Sequence, residues 1–353
     1  MNTLGSDGQA PGAAGPLSGL RVIEMDALGP VPHAAMILAD AGAAVVRVVR
    51  SGGPPDTGTH PLLRGRRTVA LNLKSEDGRE AVLALLEESD VLLEGFRPGV
   101  MERLGLGPAD CAARNPGLIY GRMTGWGQTG PLADRAGHDI NYISLTGALH
   151  AIGEAHRAPI VPLNLVGDYG GGSMLLLVGV LSALWERERT GQGQVVDAAM
   201  VDGVLSLQQL IWDLRSNGLW NEDRQSNQLD GGAPFYRTYP CSDGRWVAVG
   251  ALEPQFYRLL IEGLGLAGEE LPEQLDEASW PALAERIASV FATQPRDHWA
   301  ETFADVDACV TPVLSYDEVR GHPHVAARAG LIEVDGVVQA APVPRFSGYP
   351  TPR

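Results

Sequence analysis

Between residues 20 and 125 short apolar runs alternate with segments of helical periodicity, and few folds accommodate that order. LRVIEM (20–25) precedes a Pro/Gly turn and the helical HAAMILADAG, which stops at Gly42. AVVRVVR (44–50) follows as a second strand. Ser75 then caps a helix with Glu76 and Asp77 in its first turn and Ala81, Val82, Leu85 and Leu86 on one side. VLLEGF (91–96) and GLIYGRMTG (117–125) complete four strands. A strand that passes into a helix and back returns parallel, so the pattern predicts an α/β fold with a mostly parallel, Rossmann-like sheet covered on both faces.

The chain's 353 residues exceed what one hydrophobic core usually serves. Residues 1–15 are small and polar and read as a disordered tail. Residues 16–225 then form the large domain, completed by 331–353, and 226–330 a small α+β domain. Within the large domain, Ser173 to Arg189 and Asp197 to about Leu219 read as long buried helices. NEDRQSNQLDGG (221–232) reads as a hinge. The small domain opens with strands FYRTYP and RWVAVG, followed by helices near 254–265, 279–293 and 296–305 and the strand CVTPVL (309–314). Beyond Gly330 the chain is Pro-rich and reads as an irregular arm.

A formal charge of −16 argues against nucleic-acid or anionic-membrane partners. No apolar run approaches the roughly 18 residues of a membrane span, and the start lacks a signal pattern, so a cytoplasmic protein is expected. Three separated cysteines, Cys111, Cys241 and Cys309, fit a reducing compartment and offer no metal site. One local exception to the acidity stands out. Between Arg47 and Lys74 there are six basic residues and a single acid, Asp56, and all but one of the six are arginines, suited to bidentate phosphate contact.

The turn after the first strand, MDALGPVPHAAM, lacks the G-x-G-x-x-G of dinucleotide enzymes, and GDYGGGSM lacks a Walker ending. Ser173 is in no G-x-S-x-G elbow. Titratable side chains do sit in glycine-rich turns at His138-Asp139, at Asn164 to Asp168 and at Glu253. Each fits a helix N-cap as readily as a ligand-facing position.

Taken together, GPLSGLRVIEM, RPGVMERLGLG, GWGQTGP, GHDINYIS and NLVGDYGGG resemble CoA-transferase family III, from about residue 15 to 348, and the last two segments resemble its racemase branch. The resemblance implies interconversion of (R)- and (S)-2-methylacyl-CoA by 1,1-proton transfer through an enolate, with no metal or organic cofactor. It casts His138 and Asp168 as the two acid/base residues, Asp139 as the backbone donor to the enolate oxygen, Glu253 as the group that orients His138, and Asn164 as pocket lining. CoA phosphates would meet Arg50, Arg64, Arg66, Arg67, Lys74, Arg97 and Arg103. An interlocked homodimer is also implied. The alternative on this fold is a CoA transferase with Asp168 as nucleophile.

Overall fold

The computed structural model describes residues 14–53 and 60–349. The chain divides into two compact units, one of Met1–Thr146, Pro162–Gln209 and His324–Arg353, the other of Gly147–Val161 and Leu210–Pro323. Most of the tail expected over 1–15 therefore lies outside the described residues. The first unit ends earlier than residue 225, and residues 147–161 join the second.

The first unit is built on six strands, β1 (Arg21–Met25), β2 (Ala44–Arg50), β3 (Arg66–Leu71), β4 (Val91–Glu94), β5 (Ile119–Thr124) and β6 (Val195–Ala199). They run parallel in the order β3-β2-β1-β4-β5-β6. Four of them are the runs read from sequence. β3 and β6 are the outermost strands, half exposed and interrupted by Arg66, Arg67 and Asp197, so neither reads as an apolar run. β6 also displaces the helix expected from Asp197. The helices in that stretch are Met200–Leu207 and Gln209–Ser216.

Alternate residues of each strand feed opposite faces. Val22, Val45, Leu93, Ile119 and Met123 pack against the helices Pro30–Asp40 and Leu175–Thr190. Ile23, Met25, Val48, Leu92 and Tyr120 pack with Val82 and Leu86 of the helix Glu76–Glu87 and with Cys111. Two charged pairs are enclosed in the sheet. Arg66 Nε meets Glu24 at 2.5 Å with both side chains nearly inaccessible, and Arg122 Nε meets Glu94 at 2.9 Å.

The apolar helix expected from Ser173 starts earlier, as a π-helical segment over Leu165–Met174 that continues into Leu175–Thr190. Its 26 residues include an 18-residue window of mean hydropathy 1.4, so by length and composition it could cross a bilayer. In the structure Leu176, Leu177, Val180 and Ala183 belong to the core over the sheet. Val178, Leu181 and Trp185 form an exposed stripe on its other side. Glycines explain how the segment packs. A Cβ on Gly203 would stand 1.9 Å from the carbonyl oxygen of Gly171, so the segment meets the helix Met200–Leu207 backbone to backbone.

The second unit has three antiparallel strands, β7 (Tyr236–Pro240), β8 (Trp246–Gly250) and β9 (Val310–Pro312). Its core joins Phe235, Tyr239, Trp280, Phe291 and Trp299, with Tyr239 stacked on Phe291 at 5.2 Å. The segment 221–232 is not a bare hinge. Asn227 bonds to Asp230 and Asn221, and Arg224 bonds to the carbonyls of His150 and Arg157. The expected irregular arm contains a hairpin in the first unit, β10 (Leu331–Val334) and β11 (Val337–Ala340), turned by Asp335-Gly336, both at positive φ.

Candidate active site

The sheet order reverses between β1 and β4: the chain builds outward to β3, then returns to place β4 on the other side of β1. In open α/β sheets that reversal leaves a crevice at the carboxyl ends of the strands. A cavity of about 450 Å³ occupies this place, lined by Asp26–Val31 after β1, Gly95–Pro98 after β4, Gly125 and Trp126 after β5, and Met200 after β6. His138, Tyr142 and Asp168 complete it.

His138 immediately precedes the helix Asp139–Leu145, in extended backbone, and its N–H donates to Asn141 Oδ1 at 3.0 Å. The turn before it is held by Tyr142, whose hydroxyl donates to the Gly137 carbonyl at 2.5 Å and whose ring meets Trp126 edge-on at 4.8 Å. The imidazole is therefore an exposed group on a fixed turn. Asp139 is the first helical residue, where a backbone N–H has no acceptor within its own helix.

Asp168 lies in the π-helical segment and is not a helix cap. Its carboxyl faces Gly29, where an added Cβ would stand 3.0 Å from Oδ2, and that glycine is at φ 69°, a conformation other residues rarely adopt. Asn164 Nδ2 donates to Asp168 Oδ2 at 3.2 Å, and the Asp168 N–H donates to Asp139 Oδ2 at 2.7 Å. Burial raises the Asp168 carboxyl above its usual range. The Asn164 bond opposes this, the Asp139 charge adds to it, and His138 opposes it. A carboxyl shifted upward suits proton exchange nearer neutral pH.

The structure thus brings His138, Asp139, Asn164 and Asp168 to one place. Arg97 lines the same cavity, and Arg50, Arg67, Lys74 and Arg103 are exposed. Two of the expected phosphate contacts do not fit. Arg66 is buried against Glu24 and also donates to the carbonyls of Leu62 and Pro32, leaving little for a ligand. Arg64 is bound to both oxygens of Asp40 and to Gln339. Glu253 stands before the helix Pro254–Gly263 of the second unit. Sequence reasoning missed Trp126, Tyr142 and Gly29 as parts of the site, although Trp126 lies in the quoted GWGQTGP segment.

A model of CoA-transferase family III matches residues 17–352. The chain belongs to CoA-transferase family III. The family contains more than one chemistry. The chain is 48% identical, over 93% of its length and 85% of the relative's, to a protein of Mus musculus named alpha-methylacyl-CoA racemase. It is 32% identical, over 96% of its length and 91% of the relative's, to the acetyl-CoA:oxalate CoA-transferase of Acetobacter aceti. Among solved structures, a family protein from Brucella suis superposes with a TM-score of 0.80 at 28% identity, covering 96% of each chain.

Proposed function

We propose that this family III protein is a racemase that interconverts (R)- and (S)-2-methylacyl-CoA thioesters. The observation that carries the reading is that an imidazole, His138, and a carboxyl, Asp168, line one cavity at the sheet's switch point. The identity to a protein named for this reaction supports it. Inverting a carbon by proton transfer needs a base on one face and an acid on the other, each able to exchange roles. Neutral His138 takes the C2 proton, the electron pair passes to the thioester oxygen, and protonated Asp168 returns a proton to the opposite face. Imidazolium and carboxylate remain, which is the starting state for the reverse direction. The Asp139 N–H stabilises the enolate oxygen. Family likeness adds Glu253 as the carboxylate that orients His138.

For the rest of the substrate, Leu28, Phe96, Trp126 and Met200 offer an apolar lining for the acyl group. Arg97 and Arg103, with Arg50, Arg67 and Lys74, are the cations for the CoA phosphates. The exposed stripe Val178, Leu181 and Trp185 is the surface we assign to a homodimer, interlocked as in the family. A transferase would use Asp168 as a nucleophile and has no task for a second acid/base residue, His138, in the same cavity.

The test is incubation with one epimer of a 2-methylacyl-CoA in deuterated water with no second acid. Racemisation with deuterium at C2 supports the reading. An inert α-carbon together with CoA exchange on adding a free acid would move the assignment to a transferase.

A further inference from the structure

Behind the segment that carries Asp168 lies a side-chain cluster that the proposed reaction does not use. His33, in the first turn of the helix Pro30–Asp40, places Nδ1 2.7 Å from Ser173 Oγ and stacks on the Tyr169 ring, with centroids 4.2 Å apart and planes 18° from parallel. Ser173 is fully buried, and its hydroxyl donates to the Tyr169 carbonyl at 3.0 Å. A hydroxyl carries one proton, so Ser173 accepts in its other bond and His33 donates from Nδ1. Burial, aided by the charges of Arg64 and Arg66, holds His33 below its usual range, which favours a neutral ring, and the bond to Ser173 places its proton on Nδ1. None of the three residues lines the cavity.

We propose that His33 is a positioning residue: through Ser173 and Tyr169 it holds the register of the π-helical segment and so fixes where the Asp168 carboxyl stands. A wide helical turn is less favourable than an α-helical one, and Gly167, Gly170, Gly171 and Gly172 give it no side-chain reinforcement. The hold must come from outside. The hydroxyl bond from Ser173 to Tyr169 spans one turn, His33 fixes that hydroxyl, and the ring stack fixes the residue next to Asp168. The helix that bears His33 follows directly on Gly29, the residue that abuts the carboxyl itself, so one element contacts the segment at both places.

The activity part of the test rests on the racemase reading, and amide exchange does not. His33→Phe keeps a stacking ring and removes the donor, His33→Asn restores an N–H near the Nδ1 place, and Ser173→Ala removes the acceptor. His33→Phe and Ser173→Ala should each lower kcat about tenfold or more with little change in KM, since small misplacement of a reacting group is costly. The double variant should fall no further than Ser173→Ala alone, and His33→Asn should recover part of the rate. Deuterium exchange of the amides across Leu165–Met174 should quicken in the first two variants and less in His33→Asn, which restores the bond to Ser173 but not the stack on Tyr169. Unchanged exchange in His33→Phe overturns the proposal whatever the reaction proves to be. Full kcat in His33→Phe, in an enzyme that does racemise, overturns it while leaving the reaction reading intact.

Discussion

Asp139 Oδ2 accepts the backbone N–H of Asp168 at 2.7 Å, so one buried carboxylate joins the helix that begins after His138 to the segment that bears Asp168. The two proposed acid/base residues are thus held in mutual register by the neighbour of one and the main chain of the other. Asp139→Ala leaves the Asp168 N–H without this partner, at a cost of about 1–3 kcal/mol. Its kcat should fall sharply. Asp139→Asn keeps an acceptor oxygen and should lose less of both, measured by chemical denaturation and steady-state kinetics.

The Asp168 carboxyl has a consequence for stability. Burial raises it above its ordinary value of 3.8, so the folded protein holds that proton more tightly than the unfolded chain. The contribution favours folding below the unfolded value and is lost as pH rises through the raised folded value. At neutral pH the ionised group is a net cost. Asp168→Asn should therefore melt higher than the parent at pH 7, with the gap closing as pH falls towards about 4, while racemisation is lost. A lower melting temperature at pH 7 would contradict this.

The arginines should separate by role. Arg97→Ala and Arg103→Ala would remove the charge-assisted contacts proposed for the CoA phosphates, each worth about 1.5–3 kcal/mol, and should raise KM for the thioester roughly tenfold or more with modest change in kcat. Arg66→Met strands Glu24 in the sheet and should cost about 3–5 kcal/mol of stability without altering the KM of the folded fraction.

Glycine packing gives another check. Gly203→Ala forces a methyl against the Gly171 carbonyl and should displace the π-helical segment, costing about 1–3 kcal/mol and most of the activity. At Gly268, where an added Cβ meets nothing within 4 Å, alanine should change neither.

Much of this arrangement was legible in the sequence, and the failures have physical causes. Four strands showed as apolar runs because both their faces are covered. β3 and β6 lie at the edges and carry charge. Asp335-Gly336 between apolar pairs is a hairpin signal that proline-rich flanks obscured. His138 could be read beside a helix start, but the π-helical setting of Asp168 could not. Nothing in NLVGDYGGG distinguishes a wide helical turn from a loop until the backbone contact of Gly171 with Gly203 is seen. Arg64 and Arg66 were legible as charges, but their partners Asp40 and Glu24 are distant in sequence.

The proposed racemisation needs two bases acting from opposite faces, which single-base variants test most directly. In deuterated water, Asp168→Asn and His138→Asn should each lose racemisation while still exchanging the C2 proton of one 2-methylacyl-CoA epimer without inversion, and the two variants should act on opposite epimers. Continued racemisation by either variant, or exchange of the same epimer by both, would contradict it.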